Sequence, residues 1–296
     1  MKTELNSNWK LLLANALMHE KWFISPQYID ANALTVISLL EGKPNFMLSG
    51  SERPDYEMAT GNGTAIRGIR DDWSKLPQNS VAIFPVRGSM MKHGTWCSYG
   101  TEEIEQFMAI AAEQKNIVGA VLQIDSGGGL VSSVAPMHRG IEAFKLKGKP
   151  VVSACDLCCS AAYYTAIKTD YILAENDISP ELGSIGVMID FWDASPVLEK
   201  NGYVHHRIKA AESADKNTAF EKALKGEYDE IISEYLSPLA QKFQNDVKEA
   251  RGARLKADTP GILSGKTFYA KDAFTYGLID GFGDLNRAVQ LVIELS

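Results

Sequence analysis

The chain has 296 residues, enough for one large α/β domain with a smaller piece or for two modest domains, and 45% apolar with 23% charged residues is ordinary for a globular protein. A formal net charge of −7, with no local basic stripe, argues against nucleic acid as a partner. No stretch reaches the roughly 18 consecutive apolar residues that a membrane-spanning helix needs.

Residues 1–50 read as helical, with apolar clusters in WKLLLANALM and YIDANALTVISLLEG. Glu4 and Lys10 bracket an apolar core too short for a secretory signal, so an amphipathic helix is expected there. Residues 51–79 are polar and rich in Gly, Pro and Asp, a linker composition. The reading is therefore a helical extension and linker over 1–75 and a main domain over 76–296.

From Ser80 onward strands and helices alternate. VAIFPVRG (81–88) is a β-rich run, and TEEIEQFMAIAAEQ (101–114) has helical spacing behind a threonine cap. IVGAVLQID (117–125) is a nearly continuous apolar strand, and a helical pattern covers 132–146. PVVSAC (150–155) and YILAE (171–175) read as strands flanking a helix over 160–168, and YVHHRIKA (203–210) is strand-like. Phe220, Leu224, Tyr228, Ile231, Tyr235, Leu239 and Phe243 mark one face of a long helix over 220–250. Buried strands alternating with helices predict an α/β fold with a sheet covered on both faces.

Two junctions carry chemistry. Asp125-Ser126-Gly127-Gly128-Gly129 comes directly after a buried strand, and three glycines allow a sharp turn with exposed N–H groups. Such a loop serves as a tight turn or as a cradle for an oxyanion; no phosphate-loop lysine accompanies it. Cys158-Cys159-Ser160-Ala161-Ala162 places a serine at a strand–helix junction, as a helix cap or as a nucleophile. The chain has five histidines, none between Ser160 and His205, so a histidine base is poorly placed by the sequence. A lysine can substitute where burial disfavours its ammonium form, and Lys209 and Lys216 are both candidates. Cys97, Cys155, Cys158 and Cys159 lack a second ligand pair for zinc and read as small buried residues of a reducing compartment, hence a cytoplasmic protein. Cys158 or Cys159 as nucleophile is a minor alternative.

Together these segments resemble the signal peptide peptidase A family of Ser/Lys peptidases and the related capsid-maturation proteases of tailed phages, from about Val81 to Leu295. DSGGG (125–129) is similar to the family's oxyanion loop, with Gly127 in place of the usual proline. CSAAYY (159–164) resembles the nucleophile segment, and Gly183-Ser184-Ile185-Gly186-Val187 matches a family signature almost letter for letter. Tyr269-Ala270-Lys271-Asp272-Ala273 through Gly277-Leu278-Ile279-Asp280 resembles the closing signature. The resemblance implies a crotonase/Clp-protease-like spiral of ββα units behind the helical N-terminal extension. It implies Ser160 as nucleophile, Lys216 (or Lys209) as base, and backbone N–H groups of Gly128, Gly129 and Ala161 as the oxyanion hole. It also implies a polypeptide substrate of signal-peptide or phage-scaffold type, no metal or cofactor, and a ring-like homo-oligomer in which a neighbouring subunit can supply the lysine. A crotonase-like acyl-CoA enzyme and a catalytically degenerate assembly scaffold are the alternatives.

Overall fold

The computed structural model describes residues 73, 76–94, 98–191, 193 and 195–296, together with three short strands nearer the N-terminus. Those strands are β1 (Trp22–Ile24), β2 (Glu57–Ala59) and β3 (Ala65–Arg67), the last two forming an antiparallel pair. β1 lies within the region expected to be helical, between its two apolar clusters, and a Trp-Phe-Ile run suits an extended backbone. The two clusters themselves lie outside the described residues. β2 and β3 fall in the expected linker.

The main body is a seven-stranded sheet. β4 (Ser80–Arg87), β5 (Ile117–Ser126) and β7 (Val151–Cys159) run parallel, with β5 between the other two. Alternate residues along them enter two separate cores. Ala82, Phe84, Leu122 and Ile124 face one side, where α1 (Thr101–Ala112), α2 (Val134–Lys145) and α3 (Ala161–Ala166) pack. Val81, Ile83, Val121, Val152 and Ala154 face the other, covered by Ala288, Val289 and Val292 of α7 (Leu285–Leu295). A strand buried on both faces needs apolar residues at every position, which is why β5 reads as a continuous run. The expected α/β sheet with helices on both faces is the architecture found.

β7 is the strand that positions everything else. Its first half pairs with β8 (Tyr171–Ala174), and β8 in turn pairs with β11 (Gly281–Phe282). Its second half pairs instead with β9 (Glu181–Gly183), whose other edge carries β10 (Thr267–Tyr269). The change of partner falls at Asp156, where the register against β5 slips by one residue. A bulge of this kind bends a strand and re-aims the residues beyond it. The strand therefore continues to Cys159, four residues past the apolar run PVVSAC, and ends directly at Ser160.

Three local expectations change. The cap of α1 is Gly100 rather than a threonine: its N–H donates to the Glu103 carboxylate at 2.8 Å, and Thr101 Oγ1 is buried without a partner among the described residues. The helix expected over 220–250 is broken. α5 (Thr218–Ala223) stops before Gly226, whose φ of +82° ends the turn, and a π-helical turn over Ile231–Leu236 leads into α6 (Ser237–Arg251), with a proline in its first turn. Residues 203–210 form no strand; Tyr203, Val204 and Ile208 are exposed and the segment pairs with none of the described strands. Between β9 and α5, α4 (Ser195–Lys200) forms a short helix before Gly202. No helix among the described residues is long and apolar enough to cross a membrane.

The closing signature acts as a clamp on the body. Arg251 of α6 is buried, donates from Nε to the Gly277 carbonyl at 2.8 Å, and grips Asp280 with both terminal nitrogens at 3.0 and 2.8 Å. Asp280 also accepts the backbone N–H of Ile172 on β8. Breaking a buried pair of this kind leaves an uncompensated charge, so it fixes the C-terminal turn in place.

This packing is open to test at two positions. Gly277 has φ +81°, and a Cβ there would lie 1.8 Å from the Arg254 carbonyl oxygen. Gly277→Ala is expected to lower stability by about 2–4 kcal/mol in denaturant unfolding with an unchanged slope. His138 on α2 reaches the Tyr164 carbonyl through Nε2 at 2.8 Å, so that nitrogen carries the proton and donates. Burial lowers its pKa, so the folded state resists the proton that the unfolded chain accepts. This contribution is complete above about pH 6.5 and is lost as pH falls toward the folded value. His138→Gln keeps a donor and should flatten the fall in urea midpoint between about pH 7 and pH 5.

Candidate active site

Ser160 stands between the end of β7 and the start of α3 with φ +55° and ψ −116°. A non-glycine residue in this region carries strain on the order of 1–3 kcal/mol, held only where surrounding structure over-determines it. Here the hold is visible. The Ser160 N–H donates to the Gly183 carbonyl at 2.8 Å, and the Ser160 carbonyl accepts the Tyr164 N–H at 2.8 Å. Its Oγ lies 3.5 Å from the Gly186 carbonyl, a distance at the limit of hydrogen bonding that ties the hydroxyl weakly. The serine is 1% exposed. The junction thus holds Ser160 in a strained turn from strand into helix, and its side chain makes no capping bond.

The Gly183–Val187 signature thus has a physical role that its letters alone did not disclose. Gly183 has φ +109° and Ser184 has φ +52°, a sharp turn after β9 that directs the Gly183 carbonyl at Ser160. The Ser184 N–H donates to the Lys266 carbonyl at 3.0 Å, which anchors that turn to the residue before β10.

The glycine loop lies beside this turn. Ser126 pairs with Cys158 in the β5–β7 register, and β6 (Gly128–Leu130) packs against α3. Gly128 has φ +107°, open to glycine almost alone. A Cβ on Gly129 would lie 2.0 Å from the Met90 carbonyl oxygen, so the close passage of Met90 requires a glycine at this position. The Ser126 hydroxyl donates to the Gly88 carbonyl at 2.6 Å and accepts the Gly128 N–H at 3.2 Å. The Gly128 N–H is therefore engaged by its own loop. Ala161 opens α3, where an N–H has no partner within the helix.

The two tyrosines after the serine tie the turn to distant segments. Tyr163 is fully buried and donates to the Leu278 carbonyl at 2.8 Å, linking α3 to the closing signature. Tyr164 donates to Asp246 at 2.5 Å and stacks on Phe243 at 4.1 Å between centroids, linking it to α6. Burial alone would raise the Asp246 pKa, but hydrogen bonds from Lys242 and Tyr164 outweigh it and keep the carboxyl below its ordinary value. Nothing in the sequence pointed to Asp246, since a single acid on a helix carries no signal.

The two candidate lysines are placed differently. Lys216 is exposed and is not a hydrogen-bond partner of Ser160 within this chain. Lys209 forms an ion pair with Glu221 at 3.0 Å and also reaches the Ala214 carbonyl. Cys158 and Cys159 are buried; burial pushes the Cys159 thiol up to about 12 and the Cys158 thiol well above its usual value, so neither provides a thiolate.

With this geometry in view, residues 143–296, just over half of the chain, match Peptidase family S49. The chloroplastic serine protease SPPA of Arabidopsis thaliana is 30% identical over 72% of this chain and 32% of its own length. Protease 4 of Haemophilus influenzae is 24% identical over 73% of this chain and 35% of its own length. The chain spans about a third of the length of these relatives. Among solved structures, a membrane-bound stomatin-specific protease in complex with a substrate peptide aligns with a TM-score of 0.45 at 15% identity, covering 71% of this chain and 78% of that one. The matched region holds the serine turn, the Gly183–Val187 signature and the closing clamp, and the chain belongs to peptidase family S49.

Proposed function

We propose that this chain is a serine endopeptidase that hydrolyses peptide bonds through an acyl-enzyme, with Ser160 as nucleophile and Lys216 as base. The observation that carries the reading is the backbone of Ser160, held at positive φ by the Gly183 carbonyl beside a loop of three glycines. An acyl-CoA enzyme of the same architecture needs no strained serine at this junction.

In the proposed reaction the uncharged lysine amine takes the Ser160 hydroxyl proton as Oγ attacks the substrate carbonyl, and the same proton then passes to the leaving amine. Water, activated by the amine, releases the acyl group and restores the serine. Backbone N–H groups of Ala161 and of Gly128 or Gly129 face the developing oxyanion, each worth about 3 kcal/mol at the transition state. The Gly128 donor must first exchange its contact with Ser126 for the oxyanion.

The base is supplied by a neighbouring copy in this reading. Lys216 is exposed in the single chain, and it comes after a segment whose Tyr203, Val204 and Ile208 are exposed and whose backbone pairs with no described strand. Such a segment suits burial against a second subunit, which would also desolvate the lysine and favour its neutral form. The substrates are polypeptides of the signal-peptide or phage-scaffold type.

Two measurements test this. Ser160→Ala should lower cleavage of an unfolded polypeptide on the order of a thousandfold with unchanged folding; parent-like activity would remove Ser160 from the mechanism. Mixing inactive Ser160→Ala with inactive Lys216→Ala subunits should restore about a quarter of parent activity, because half the serines meet half the lysines across a heterologous interface. Full activity in Lys216→Ala with loss of activity in Lys209→Ala would instead transfer the role to Lys209.

A further inference from the structure

β6 has two edges, and each is taken. On one, the Met90 N–H donates to the Gly128 carbonyl at 2.8 Å and the Met90 carbonyl accepts the Leu130 N–H at 2.9 Å. Backbone groups of successive residues in a strand point to opposite edges, so the N–H and carbonyl of Gly129 face the other side. On that side lies β1, antiparallel, with Trp22 opposite Leu130, Phe23 opposite Gly129 and Ile24 opposite Gly128. β1 also lies against α3, the helix that Ser160 opens.

The direction of this pairing matters. β6 leads away from the glycine loop, so an antiparallel neighbour leads toward it. The last residue of β1, Ile24, stands opposite Gly128, the glycine of positive φ beside the Ser126 hydroxyl. A polypeptide laid along this edge in the same sense would bring the carbonyl at its C-terminal end to the serine turn. Strand addition to an open edge is also sequence-tolerant, because main-chain hydrogen bonds supply most of the affinity.

We propose that Trp22–Ile24 is a resident occupant of this edge of β6, held where an extended polypeptide substrate would lie and competing with it from within the chain. The proposal deepens the endopeptidase reading and rests on Ser160 as the reacting centre. A three-residue, two-stranded ribbon is marginal by itself. Tethering raises its effective concentration to about the millimolar range, enough to hold the edge against dilute peptide yet leave it displaceable.

The test is a substitution that removes one rung. Phe23→Pro deletes the N–H opposite Gly129 and lies outside the seven-stranded body. In the full chain carrying Ser160→Ala, so that no probe is consumed, a fluorescein-labelled peptide of residues 18–28 is titrated with and without Phe23→Pro. We expect at least about tenfold tighter peptide binding to the Phe23→Pro chain, and renewed protection of the Gly129 amide from hydrogen exchange when peptide is added. Equal affinity for both chains would overturn the resident strand, and absence of binding to both would overturn the edge as a peptide site. With Ser160 restored, Phe23→Pro should lower KM for a peptide substrate by about the same factor with kcat unchanged. A chain that binds the peptide but cleaves equally well with Ser160→Ala would sink the endopeptidase mechanism while leaving the binding site standing.

Discussion

The hydrogen bond from the Ser160 N–H to the Gly183 carbonyl is the constraint on which the site depends. It joins the end of β7 to the end of β9 and holds a non-glycine residue at φ +55°, a conformation that local preference opposes. Remove the β9 turn and nothing keeps the serine from relaxing into an ordinary helix start. The strain survives because β7 is paired with β5 as far as Cys158 and with β9 as far as Cys159. The sheet supplies the rigidity that the turn uses.

Around that bond the chain converges from several directions. At the bulge at Asp156, β7 changes partner from β8 to β9. Tyr163 and Tyr164 then fasten α3 to the C-terminal turn and to α6 through their hydroxyls. Arg251 and Asp280 lock the C-terminal turn in turn to α6 and β8. Segments more than 100 residues apart in sequence thus meet within one hydrogen-bonded set. That coupling explains why motifs so distant in the chain behave as a single signature.

The proposed base is the part that a single chain leaves open. Ser160 is buried and held on both sides, whereas Lys216 sits in an exposed stretch preceded by apolar residues that have found no core. In the proposed mechanism, a serine preorganised within the chain and a lysine carried on a surface segment would make activity conditional on assembly. The strand Trp22–Ile24 on the glycine-loop edge would add a second condition, access.

Much of the fold was legible in the letters. Largely apolar runs at 81–88, 117–125 and 150–155 announced strands buried on both faces, because such strands present side chains to a core on each side. The three glycines announced a turn with exposed amides, and the run of small residues around Ser160 announced a tight junction. Local patterning failed where tertiary pairing decides. Residues 203–210 have strand-like letters but no partner edge, Gly226 breaks a helix whose apolar spacing would have continued, and Trp22–Ile24 became a strand only because β6 offered an edge. Sequence by itself determined the α/β alternation, the family and the candidate nucleophile, since these rest on periodicity and on contiguous residues. Only the tertiary structure decided why that serine is strained, which carbonyl holds it and what lies on the glycine-loop edge, because each depends on groups brought together across the sheet.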